Sequence, residues 1–296
     1  MLHPCKNAHI FKLGAPPISV DVTAWFVAAA ARNRIGISDY RNRFARIFDR
    51  HIACPEIAVV GRPLGGGELQ IMVVFASRIG LRALVYNDNG FVSSENIDPV
   101  IEPEQVQPFV LCKTRYNVGI LCFTRGKWFS WLPGRKILKY VAKSPVRYSF
   151  IQYYDEYALY AERTGVRRVD GITKKSSIIY SGEPIRRVSR NHHGTVFVTW
   201  GQELCIVSPD GYKVERYKLP AIPTCAVKIS SDRVAVGLGN GKIAIGPPDN
   251  LEWRDTGSIV TCMAAFKNIL VIGFANGDVL RLIGDGVNDY QFEAKG

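Results

Sequence analysis

Through the C-terminal half of the chain, short apolar runs and polar turns alternate in a pattern that returns about every 40 residues. From Pro145 onward each pass reads as an apolar strand, a turn, a second apolar strand and a turn containing Gly or Asn. A shorter third strand, another turn and a more polar fourth strand complete it. The last passes show it best: VAVGLGNGKIAIG at 234–246 and LVIGFANGDVLRLIG at 270–284 align almost position for position. Each ends a β-rich run on Gly and turns at Asn-Gly, the dipeptide that tight hairpins between right-twisted strands favour. Counted backward, first strands begin near Ile18, Glu56, Gln107, Pro145, Ile185, Ile222 and Ile259.

A fixed period holding four short strands predicts an all-β fold, a β-propeller of four-stranded antiparallel blades. The count points to seven blades, with six as the alternative, in a single domain over residues 1–296. A ring must also hide its open sheet edges. HIFKLGAPPISV near the N-terminus matches RYKLPAIPTCAV, where the fourth strand of blade five runs into blade six. Residues 8–14 are therefore expected to close the last blade as its outer strand. The competitor is VNDYQF at 287–292, within a tail (285–296) that would otherwise be free.

The chain resembles a degenerate WD-repeat propeller over essentially its whole length. The resemblance rests on Gly237 and Gly273, on the turns Asn240-Gly241 and Asn276-Gly277, and on the short apolar strand after each. No Trp-Asp pair ends a third strand, no Gly-His opens a blade, and the usual buried Asp of the second turn region is absent or unplaceable. The resemblance implies a rigid platform for protein contacts.

Charge adds a second signal. The formal net charge is +12, from 38 Lys+Arg against 26 Asp+Glu. Residues 1–50 hold eight basic against three acidic side chains and residues 101–150 nine against two, whereas 51–100 and 251–296 are slightly acidic. Turns between second and third strands should emerge on one face, beside the blade-to-blade connections. Around the ring they supply Arg32 and Arg34, Arg78 and Arg82, Arg125 and Lys127, then Arg163, Arg167 and Arg168. This basic arc would attract acidic protein surfaces or phosphate backbones. The other face also carries basic turns, at Arg41, Arg43, Arg135, Lys136, Lys174 and Lys175. Of the aromatics clustered between Trp128 and Tyr160, most suit the packing between blades; Trp131, beside Pro133-Gly134, is the candidate for exposure.

Motifs for chemistry are lacking. Gly65-Gly66-Gly67 has no Gly-Lys-Ser/Thr ending, His192-His193 is a polar turn pair in RNHHGT whose members would diverge in a strand, and Asp155-Glu156 sits at a turn. No nucleophile triad, metal set or cofactor fingerprint appears, so no catalytic residue, metal, cofactor or small-molecule substrate is expected. Seven cysteines are scattered singly, which argues against disulfides and zinc and for a reducing, intracellular compartment. No apolar run approaches the roughly 18 residues of a membrane span, and the start lacks a secretory pattern. The expectation is a non-catalytic protein-interaction platform or scaffold subunit within a complex, with direct RNA or DNA binding through the basic sector as the alternative and a propeller enzyme using the central channel as the third reading.

Overall fold

A computed structural model describes residues 8–23, 26–39, 45–49, 57–63, 69–77, 80–87, 90–98, 110–113, 120–124, 127–131, 139–143, 150–153, 156–267 and 269–283. Among these, every regular element is a strand, and the strands form seven four-stranded antiparallel sheets. The first holds β2 (Ser19–Val22), β3 (Phe26–Ala31), β4 (Arg34–Asp39) and β5 (Ala45–Asp49). The second holds β6 (Ile57–Pro63), β7 (Leu69–Ser77), β8 (Gly80–Asn87) and β9 (Gly90–Asp98). The third is β10 (Val110–Lys113), β11 (Ile120–Thr124), β12 (Lys127–Trp131) and β13 (Lys139–Lys143). The fourth is β14 (Phe150–Tyr153), β15 (Tyr157–Ala161), β16 (Gly165–Asp170) and β17 (Ser176–Ser181). The fifth is β18 (Ile185–Asn191), β19 (Gly194–Thr199), β20 (Glu203–Val207) and β21 (Val214–Lys218). The sixth is β22 (Pro223–Lys228), β23 (Val234–Leu238), β24 (Lys242–Gly246) and β25 (Trp253–Asp255). The seventh joins β26 (Val260–Phe266), β27 (Ile269–Phe274) and β28 (Asp278–Ile283) to β1 (Ala8–Lys12).

Five of the expected first-strand starts fall within one residue of the observed ones. Gln107 and Pro145 precede β10 and β14 by three and five residues, in stretches outside the described residues. The N-terminal strand takes the outer position: Ala8 faces Arg281 and Lys12 faces Asp278 across an antiparallel pair. The match that suggested it reflects a repeated contact. Leu13 N donates to Gly277 O at 2.8 Å, and Leu219 N donates to Gln202 O at 2.8 Å in sheet five. Both leucines are buried. The competing segment at 287–292 lies outside the described residues.

Packing follows strand periodicity, with successive side chains on opposite faces. On β3, Phe26, Ala28 and Ala30 pack with Val59 and Phe75 of sheet two, while Val27, Ala29 and Ala31 pack with Val271 and Val279 of sheet seven. On β27, Leu270, Ile272 and Phe274 join Cys225 and Ala235 of sheet six, whereas Ile269 and Val271 face sheet one. On β19, Phe197 packs toward Leu159 and Tyr180 of sheet four, and Val196 and Val198 toward sheet six. A second strand sandwiched between two neighbouring sheets is apolar on both faces, so it reads as a continuous run rather than an alternation. Fourth strands such as β21 and β25 are exposed on most positions, and their sequences are polar.

The glycines that carry the repeat are sites of close approach. A Cβ on Gly237 would stand 2.8 Å from Val260 Cβ, and one on Gly273 would stand 2.5 Å from Pro17 Cγ. In each case the intruder begins the first strand of the next sheet, or the connection into it. Seam and repeat thus share one cause. A different buried Asp lies on a first strand, Asp21 on β2: its Oδ2 accepts Val59 N of β6 at 2.6 Å and its Oδ1 accepts Val22 N at 2.9 Å. It ties sheets one and two by satisfying a strand N–H that would otherwise lack a partner.

Candidate interaction face

The turns between second and third strands and the connections between sheets share one face, because they hydrogen-bond to each other sheet after sheet. Gly182 N donates to Thr164 O, Leu219 N to Gln202 O, and Thr256 N to Gly241 O, at 2.8 to 3.1 Å. In return Trp200 N donates to Pro184 O, Gly239 N to Ile222 O and Ala275 N to Ile259 O, at 2.8 to 3.0 Å. Pro184, Ile222 and Ile259 therefore occupy equivalent places, each just ahead of a first strand and hence around the centre of the face.

The expected basic arc is thinner than the sequence suggests. Arg32 and Arg163 are exposed at their turns. Arg34 extends Nη1 to Leu13 O at 2.9 Å, holding the seam between sheets one and seven. Arg167 pairs with Glu162 through Nε and Oε1 at 3.1 Å, an exposed ion pair of the weak kind. Arg82 is half-buried and reaches Ser94 Oγ at 3.1 Å through Nη2. Arg78 and Arg125 lie outside the described residues, as do Arg41, Arg43, Arg135, Lys136 and Gly65-Gly66-Gly67. Lys127 and Trp131 are described as backbone only, and they stand at opposite ends of β12, so they approach different faces.

Arg168 departs most from the expected arc. It is 5% exposed, and its guanidinium carbon lies 4.6 Å from the Tyr157 ring centroid and 3.9 Å from that of Tyr212. Its Nε donates to Asp210 O at 3.2 Å, and Nη1 stands 3.6 Å from Asp170 Oδ2. Alternation along β16 sends Arg167 outward and Arg168 against sheet five, where two rings enclose it and cation–π attraction holds it.

What the sequence did not single out is an exposed apolar rim at the centre of the same face. Trp200 is 54% exposed, Ile222 39% and Ile259 40%. Pro184 is half-buried beside Trp200, and Pro16 is exposed in the connection from sheet seven to sheet one. A Trp at a hairpin tip, and an isoleucine one step before each of two first strands, were the available signals. Beneath the rim lie two arginines of β18. Arg187 crosses the centre: Nη1 donates to Thr261 O at 2.8 Å and Nη2 to Ile18 O at 2.6 Å, joining sheets five, seven and one. Arg186 lies over Trp200, its guanidinium carbon 4.4 Å from the ring centroid. Burial holds it below the ordinary arginine range, and the adjacent Arg187 charge acts in the same direction.

On the opposite face His192 and His193 form the expected turn, where their rings lie tilted at 43° with centroids 3.8 Å apart rather than on opposite sides. Burial lowers both pKa values, helped by Lys267 for His192 and by His192 and Lys228 for His193. No group of three or more metal-ligating side chains occurs among the described residues. Cys205, Cys225 and Cys262 are free and buried; burial pushes the Cys205 and Cys225 thiols up to about 12.

No protein-family model matches the sequence, and no curated protein matches it. Solved structures do. The WD40 domain of Neurospora crassa Pan2 superposes with a TM-score of 0.68 at 12% identity, covering 99% of each chain. BBS1N, solved in complex with ARL6DN, gives 0.67 at 13% identity, covering 95% of this chain and 96% of that one. Virginiamycin B lyase from Staphylococcus aureus gives 0.64 at 11% identity, covering 94% and 98%. At such identities the likeness shows the fold alone: this is an all-β chain with the architecture of a β-propeller, an architecture that serves WD40 domains and a lyase alike.

Proposed function

We propose that the chain is a non-catalytic protein-interaction platform: one domain, a seven-bladed ring closed by its N-terminal strand, working inside the cell as a subunit of a larger assembly. The observation that carries this reading is the cluster of Trp200, Ile222 and Ile259, exposed at the centre of the connection face. Central aromatic and aliphatic anchors next to arginine are the composition of binding hot spots. BBS1N, a structural neighbour, was solved with a protein partner, which supports the same class of function. The exposed Arg32 and Arg163 would steer an acidic partner toward the face, an effect on encounter rate more than on lifetime. The free, buried cysteines suit a reducing compartment.

Quantitative capture from the native source tests this. Stoichiometric partners are expected on the full chain and lost on a W200A/I222A/I259A variant whose melting temperature is unchanged. Equal capture by both proteins would reject the central rim as the binding surface. Direct nucleic-acid binding is the competing reading, favoured by the net charge alone. A steep salt dependence of RNA or DNA affinity, abolished by R32E/R163E, would establish it; no binding at physiological salt would remove it.

A further inference from the structure

Sheets five, six and seven each carry a one-residue bulge at the same point of the first strand, between Ile185 and Arg187, Pro223 and Cys225, and Val260 and Cys262. In two of them the bulged residue is a threonine that closes back on its surroundings. Thr224 Oγ1 donates to Gly237 O at 3.1 Å; Thr261 Oγ1 lies 3.1 Å from Gly273 O and 2.6 Å from Pro17 O. The third bulged residue is Arg186. It leaves that position and lies over the Trp200 ring at the apolar rim.

Stacking uses the face of a guanidinium and leaves the N–H donors on its edge open. Among the described residues Arg186 makes no hydrogen bond and no ion pair. Glu183, the acid of the same connection, sets its side chain against Gly201, where an added Cβ would stand 2.5 Å from Glu183 Cγ. Arg187 alongside is bonded to two carbonyl oxygens, and among the described residues no carboxylate is hydrogen-bonded to it. A partly buried guanidinium with open donors calls for an acceptor, and charge complementarity makes that acceptor an anion. The surroundings decide which anion. Trp200, Ile222, Ile259 and Pro16 offer apolar area, and Lys218, the lysine at the Trp200 turn, already donates its ammonium to Gly201 O at 2.9 Å. A nucleic-acid backbone would meet apolar surface on both sides of a single phosphate; a protein segment would match both the charge and the rim.

We propose that this mouth binds a short linear protein segment in which an Asp or Glu stands between large apolar side chains. Arg186 takes the carboxylate, and Trp200, Ile222 and Ile259 take the flanks. The proposal rests on the platform reading above and names the chemistry of the partner.

The test pans a random heptapeptide display library on the purified full chain, then measures a recovered peptide by fluorescence anisotropy. Recovered peptides should carry an acid flanked by large apolar residues. Replacing that acid by its amide, or making R186Q, should each weaken binding about tenfold or more, and the two together no more than either alone, because one interaction is removed twice. Ile222→Asp, at an exposed position, should also weaken binding through like charge. If R186Q fails to fold, R186K and I222D decide, the first keeping the charge and altering the stack. Recovered peptides without an acid, acidic peptides that bind R186Q and I222D as tightly as the native chain, or no recovered peptide at all would each overturn the proposal. None of these outcomes touches the platform reading, which stands or falls on native partner capture.

Discussion

The connection face has two dissimilar halves. Around sheets five to seven and the entry to sheet one, the backbone places Trp200, Ile222, Ile259 and Pro16 in the open and keeps Arg187 bonded across the centre. Around sheets one to four the same turns present arginines, of which Arg32 and Arg163 are exposed at their turns, Arg34 is exposed but tethered to Leu13 O, and Arg168 is buried. Apolar groups left exposed at equivalent positions have no structural need to be there. Arginines in a basic chain do not share that property, since many are tethers. Exposure against residue type therefore locates the more informative half better than net charge does.

The comparison can be broken at several points. The largest effect is expected at the seam that lets the apolar half exist. Gly273→Val places a branched side chain where even a Cβ would stand 2.5 Å from Pro17 Cγ, and should cost about 3 kcal/mol through overpacking. Thermal melting checks it; an unchanged midpoint would mean the sheets part easily there.

Next comes the division of labour itself. W200A should reduce partner affinity by about 2 kcal/mol, mostly in dissociation rate, with little change in stability because the ring is half exposed. R32E/R163E should instead slow association several-fold at low salt and fade as salt rises. Surface plasmon resonance at two ionic strengths separates them. Were the double arginine variant to match W200A in dissociation, the two halves would act alike and the contrast would be lost.

A smaller effect is expected at Arg168. R168K keeps the charge but loses the planar stack on Tyr157 and Tyr212, so it should lower stability by about 1 kcal/mol and leave partner binding untouched. Loss of binding at constant stability would return Arg168 to the surface arc.

The smallest concerns pH. Both histidines of the opposite face have folded pKa values below the ordinary 6.5. The unfolded chain then takes up their protons first, so their contribution is complete above about pH 6.5 and is lost as pH falls through the folded values. His192→Gln should flatten the decline in melting temperature between pH 7 and 5. A decline of unchanged slope would assign it to other groups.

Much of the fold was legible because a repeat announces itself wherever the same backbone contact recurs. Gly237 and Gly273 read as equivalent because each admits the chain entering the next sheet, Val260 at the start of β26 and Pro17 ahead of β2. Leu13 and Leu219 read as equivalent because each ends a fourth strand on the same bond. The candidate site was not legible, since it consists of positions where the repeat is varied: Arg186 where the next two sheets have Thr, and Trp200 where they have Gly239 and Ala275. One sequence treats such variation as noise.

The sequence by itself determined the period and the order of strands within each sheet, and favoured the N-terminal strand over 287–292 for the last sheet, because these depend on local turn chemistry and on which residues tolerate burial on two faces. Tertiary structure alone decided which charges remain available. Whether an arginine faces solvent, a carbonyl or a ring depends on residues brought beside it from other sheets. Arg187 meets Thr261 and Ile18, and Arg168 meets Tyr212. Those neighbours are distant in sequence, and only the curvature of the assembled sheets makes them adjacent.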